Sequence, residues 1–177
     1  MKAKAHLFGH PIHQMLIVFP LGLLATSLFF DIARMSSGNP QWGVISYWLI
    51  AVGIVTGLVA AVFGLIDWLA IPSGTRAKTI ATLHGIGNVI VVLLFAASWF
   101  MRGAAPNDPS TLAYLLSFIG IGLAGLTGWL GGELVDRLGV GVEEGANLNA
   151  PSSLSGEPAA GKGVRAAAAG AVPAGRR

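Results

Sequence analysis

Residues 44–70 read VISYWLIAVGIVTGLVAAVFGLIDWLA, and Asp67 is the one charged residue in the run. A helix needs about 20 apolar residues to cross the hydrocarbon core, so this segment is long enough to span with some tilt. It stops just short of Pro72, which cannot continue a helix. Three further runs repeat the pattern at residues 11–32, 79–101 and 110–135. Pro11 suits an opening turn, where its missing N–H costs nothing. Pro20 lies inside the first run and predicts a kink of the kind membrane helices tolerate. Ser110 is the expected N-cap of the last run.

Connections between these runs are short, and short connections make antiparallel neighbours. The expected fold is therefore all-α: a polytopic membrane four-helix bundle, up-down-up-down, over residues 1–142. The tail, residues 143–177, is rich in Ala, Gly, Pro and Ser, lacks aromatic residues, and is expected to be disordered.

Composition agrees. Of 177 residues, 54% are hydrophobic and only 11% charged, and the mean hydropathy is +0.70. So few charges cannot cover a water-facing surface, so most of the exterior must face lipid. There is no cysteine, which excludes disulfides, thiolate-ligated zinc, iron–sulfur clusters and covalently attached c-type haem. The net charge of +3 is spread over helix ends and tail with no basic patch, so nucleic acid is not an expected partner. A cleaved signal peptide is the weaker reading of the first run, which ends in Asp31 and Arg34 without a small-residue cleavage site.

Orientation follows from the flanking basic residues. Lys2, Lys4, Arg76, Lys78 and Arg137 fall on the side of the N-terminus (side A). Arg34 and Arg102 fall on the other (side B). This bias predicts that side A, with both termini, is cytoplasmic in a bacterial inner membrane. Small residues recur every four positions at Gly53, Gly57 and Ala61, and at Gly120, Ala124, Gly128 and Gly132. Such stripes let helices approach closely, within one bundle or in a homodimer. No convincing sequence repeat relates the two halves, which argues against an inverted-repeat carrier.

Ionisable groups inside a span are expensive and invite a functional reading. His10 and His13 open the first helix on side A. Asp67 lies near the side-A end of the second, His84 and Asn88 in the side-A half of the third, and Glu133 near the side-A end of the fourth. His84 is followed by Gly85 and Gly87, which leave room for a flat ligand or another backbone. At side B only Asp31 is near a span, and Arg34 beside it suggests that Asp31 merely ends its helix.

Three chemistries fit this set. A b-type haem would take axial imidazoles from His13 and His84, with His10 in reserve. A transition metal would draw on His10, His13, His84, Asp67 and Glu133. A proton relay needs only titratable groups in series. Against these stand structural readings: His10 as a helix-end or headgroup contact, His84 hydrogen-bonded to Asp67, Glu133 paired with Arg137 at i, i+4, and the whole cluster as polar glue fixing helix register. The functions expected are accordingly electron transfer or redox support for a membrane partner, or a non-catalytic scaffold or accessory subunit, or a proton-coupled carrier. No nucleophile elbow, phosphate-cradling loop or dinucleotide fingerprint supports an ordinary enzyme.

The run His10-Pro11-Ile12-His13, followed by Phe19-Pro20 and Asp31, resembles the opening of the bacterial membrane family catalogued as domain of unknown function 2231. Gly64-Leu65-Ile66-Asp67-Trp68, the His84–Asn88 segment, and Gly131-Gly132-Glu133-Leu134 leading into Gly139-Val140-Gly141-Val142 extend the resemblance over about residues 6–142. It implies a four-helix membrane domain and implies no particular activity.

Overall fold

The computed structural model describes residues 1–160. A short hairpin pairs β1 (His6–Leu7) with β2 (His10–Pro11). Then come α1 (Ile12–Leu16), α2 (Val18–Ser37), α3 (Pro40–Ala70), α4 (Arg76–Arg102) and α5 (Thr111–Gly132). Four helical segments are long and apolar enough to cross a membrane, Ile12–Ser37, Pro40–Ala70, Arg76–Arg102 and Thr111–Arg137. They match the four expected runs and extend most of them outward.

The first span breaks at Ile17, between α1 and α2. Pro20 explains the position: it has no N–H to offer the carbonyl four residues back, at Leu16, and its ring crowds that carbonyl. Each later span has a chemical start. Asn39 accepts from Gln41 N–H ahead of Pro40, Thr75 accepts from Lys78 N–H, and Ser110 accepts from Ala113 N–H as expected. Gly38 closes α2 in the left-handed region with φ 71°, where a side chain would be strained. α5 passes into a π-helical turn, Glu133–Arg137, in which Leu138 N–H reaches back to Glu133 O.

α2 packs on α3 and α4 on α5, giving two antiparallel hairpins that join through α3–α4 and α2–α5 contacts. Leu24, Leu28, Ile50, Val91 and Phe95 form the buried apolar centre. Leu24 sits against Gly53, where an added Cβ would come within 2.6 Å, and Phe95 sits against Gly120 at 2.9 Å. Gly128 and Gly132, in the same sequence stripe as Gly120, have nothing within 4 Å.

On side A the N-terminal segment meets the chain that follows α5. Met1 O accepts from Gly141 N–H, Lys2 pairs with Glu143, and Ser153 Oγ lies 3.4 Å from His10 Nε2. The first part of the segment expected to be disordered is thus, as far as residue 160, a run of turns with one 3-10 turn at Ser153–Ser155. The rest of that expectation, residues 161–177, lies outside the described residues.

Candidate functional site

Polar side chains gather at both ends of the bundle. On side A, His13 and His84 come together with ring centroids 6.4 Å apart and planes at 88°. Each imidazole is oriented the same way. His13 Nδ1 donates to Ala60 O at 2.8 Å, and His84 Nδ1 donates to Thr127 O at 2.8 Å. A carbonyl can only accept, so Nδ1 carries the hydrogen in both rings and Nε2 keeps a lone pair when the ring is neutral. Each ring lies over a glycine one turn beyond that carbonyl. A Cβ on Gly64 would stand 2.9 Å from His13 Cε1, and one on Gly131 would stand 3.2 Å from His84 Cε1.

The environments of the two Nε2 atoms differ. Asn88 Nδ2 lies 3.2 Å from His84 Nε2 and 2.8 Å from His84 O, and Asn88 Oδ1 accepts from the Thr127 hydroxyl at 3.1 Å. Gly87 leaves the room Thr127 needs, since a Cβ there would collide with its methyl group. Gly85 has nothing within 4 Å and plays no such part.

The other sequence candidates go elsewhere. Asp67 Oδ1 accepts the backbone N–H groups of Lys4 at 2.7 Å and Ala5 at 3.1 Å, tying down the N-terminal strap. The expected Asp67–His84 bond is replaced by His84's bonds to Thr127 O and Asn88, while Asp67 is taken up by the backbone N–H groups of Lys4 and Ala5. Glu133 pairs with Arg76 of α4 at 2.6 Å instead of with Arg137; the π-helical turn breaks the i, i+4 spacing that pair relies on. His10 is in β2 beside Ser153. Among the described residues no three of His, Asp and Glu stand close enough to share a metal ion. The five-residue ligand set is therefore reduced to its two central imidazoles.

Sequence reasoning missed the cluster at side B. Asp31 does not simply end its helix. It is fully buried and holds Arg102, also fully buried, through two parallel bonds of 2.7 Å. Arg102 Nε donates to Ser98 Oγ at 3.2 Å, and its terminal nitrogens also reach Ser46 Oγ and Ser117 Oγ at 3.3 Å. Every guanidinium N–H has a partner. Arg34, expected beside Asp31, turns outward to Asp108 at 3.0 Å. Four small or charged residues at helical spacing, Ser27, Asp31, Ser98 and Arg102, were the available signal: each pair shares one face four residues apart.

A sequence family described as "Predicted membrane protein (DUF2231)" matches residues 9–144. The chain belongs to that family. The DUF2231 match takes in both histidines, both carbonyl-bearing turns and the Asp31–Arg102 pair, and it ends within the side-A turns. No curated protein and no solved structure matches the chain. It is an integral membrane protein with four candidate spans.

Proposed function

We propose that this DUF2231 protein holds one redox-active centre between His13 and His84 and serves electron transfer or redox support for a membrane partner. The observation that carries this is the disposition of the rings. Two imidazoles on opposite sides of one metal have centroids roughly 6 Å apart, given metal–nitrogen bonds of about 2.0–2.1 Å. Here the separation is 6.4 Å. Ligating histidines also commonly give their other N–H to a carbonyl, which fixes tautomer and aim, and both rings do so.

With two protein ligands, the remaining coordination must come from the group itself. A b-type haem brings four nitrogens; a single copper ion accepts imidazole readily. Gly64 and Gly131 hold α3 and α5 against the rings, so a macrocycle requires those helices to part, whereas one ion requires only that Asn88 release His84 Nε2. Absorption spectra and metal analysis of detergent-purified protein test the proposal. A Soret band, or about one copper per chain, is expected in the wild type and should be absent in His13→Ala and His84→Ala. Protein isolated from its native membrane with neither signal would end this reading.

A second reading has its own observation. Asn88 occupies His84 Nε2, as it would if the cluster were polar glue in a scaffold or accessory subunit. That reading expects no cofactor and a lower unfolding temperature for His84→Ala. For location, the basic residues on side A support a cytoplasmic-membrane protein with both termini inside. Since the chain has no cysteine, single cysteines at Ser36 and Ser73 give a clean test. A membrane-impermeant thiol reagent applied to intact cells should label the first and spare the second.

A further inference from the structure

The two hairpins repeat one another, contrary to the expectation from sequence. Asp31 and Arg102 are 71 residues apart, and so are His13 and His84, Leu24 and Phe95, and Ser27 and Ser98. In the second helices the offset is a constant 67 (53 to 120, 60 to 127, 64 to 131). The matched positions do matched work. His13 bonds Ala60 O and lies over Gly64, as His84 bonds Thr127 O and lies over Gly131. Leu24 fills the notch at Gly53, as Phe95 fills the one at Gly120. Identities follow the same register: Leu23 and Leu94, Ala25 and Ala96, Phe29 and Phe100, Tyr47 and Tyr114, Ile54 and Ile121. Both first helices run from side A to side B, so the halves are parallel copies related by a pseudo-two-fold axis along the membrane normal, a known arrangement for membrane repeats.

Residues that such an axis exchanges, and that also touch, must lie on it. Among the described residues, His13 with His84 and Asp31 with Arg102 are such pairs. The imidazoles are alike, and the ion pair is the place where the halves carry opposite charge. Two first halves brought together would set Asp31 against Asp31, and two second halves would set Arg102 against Arg102, each with no water to screen the repulsion.

We infer that the Asp31–Arg102 pair is the recognition element of the interface between the halves, admitting only a first half against a second half. The halves are alike in shape, since the Leu24–Gly53 contact inside the first and the Phe95–Gly120 contact inside the second are equivalent. Discrimination therefore falls to the charges, as in other interfaces that reject wrong partners by like-charge contact. The serines agree with this. Ser46, Ser98 and Ser117 all serve Arg102, while their counterparts around Asp31 are Ala113, Ser27 and Ile50, so the nest is built for arginine on one side only. This inference stands apart from any cofactor at the histidines.

Charge complementation between full-length chains tests it. Asp31→Arg alone sets arginine against arginine within the chain, and Arg102→Asp alone sets aspartate against aspartate. Each is expected to give at least a fivefold loss of detergent-soluble, monodisperse protein. Expressed together with different tags, the two chains can exchange halves. The arginine introduced at position 31 of one chain then meets the aspartate introduced at position 102 of the other, and the unaltered Asp31 and Arg102 meet in the same way. The expected result is recovery of both as a 1:1 complex by two-step affinity purification and light scattering. Asp31→Arg/Arg102→Asp in one chain should regain part of the lost protein, at the wild-type mass and without a second chain, the arginine at position 31 having the carboxylate but not Ser46 and Ser117. The inference is overturned if co-expression restores neither chain, or if the double variant fares no better than the single ones.

Discussion

At side B, Arg102 leaves no N–H unused: two bonds join it to Asp31 and three serines complete the guanidinium. At side A, His13 and His84 satisfy one nitrogen each through backbone carbonyls and do not bond each other. The same pseudo-two-fold axis passes through both pairs. The difference is one of saturation. A saturated cluster has nothing left to offer a ligand, and its natural role is to fix how helices meet. His84 Nε2 faces Asn88 Nδ2 at 3.2 Å and would take a ligand only if Asn88 moved, so it is His13 Nε2 that keeps binding capacity, and membrane burial makes such unused capacity costly.

The sharpest way to break this contrast is Arg102→Met. It leaves Asp31 fully buried and unpaired, and breaking a buried pair from one side costs about 3–5 kcal/mol. Thermal unfolding in a mild detergent should show the variant strongly destabilised, with Asp31→Ala/Arg102→Met recovering most of the loss, since replacing both partners by apolar groups can be nearly neutral. A small effect of Arg102→Met would mean that water reaches the pair and that side B is no more closed than side A.

Gly64→Val addresses side A with an intermediate effect. Even the first carbon of the new side chain would meet His13 Cε1 at 2.9 Å, and overpacking typically costs about 1–3 kcal/mol. The added bulk should also push His13 off Ala60 O, so any His-dependent metal or Soret signal should fall further than the unfolding temperature suggests. Gly132→Val is the control, since Gly132 has nothing within 4 Å and should change neither. Equal effects at both glycines would show that helix propensity, not contact with the imidazole, explains the result.

Much of this was legible beforehand, and the rest was hidden for identifiable reasons. Four spans follow from runs such as 44–70 alone, because hydropathy over about 20 residues is a strong, local signal. The approach of His13 to His84 followed from topology, since parallel spans place residues of equal depth together. The ion pair is obscured because Arg102, at the last turn of α4, has the position of a flanking charge, and only the four-residue spacing to Ser98 hints that it turns inward. The repeat was obscured because its two helices need different offsets. α2 and α3 are joined by residues 38–39, α4 and α5 by residues 103–110, so no single register aligns whole halves. The partners of Asp67 and Glu133 depended on the N-terminal strap and the π-helical turn, neither of which leaves a periodic trace.

The smallest effect expected is at the rim of side A. Arg76 bonds Glu133 at 2.6 Å, but the arginine side chain is 59% exposed and the glutamate 18%. In that setting water and salt screen the attraction, and exposed pairs contribute about 0–1 kcal/mol. Arg76→Gln should therefore lower the unfolding temperature only slightly, and raising salt should abolish the difference. The comparison with Arg102 is the useful part: both are arginine–carboxylate pairs between separate helices, with one bond against two and with and without water. If Arg76→Gln cost as much as Arg102→Met, exposure would not be what distinguishes them. Glu133, lying where α5 loosens into a π-helical turn, would then have to hold the end of α5 against α4.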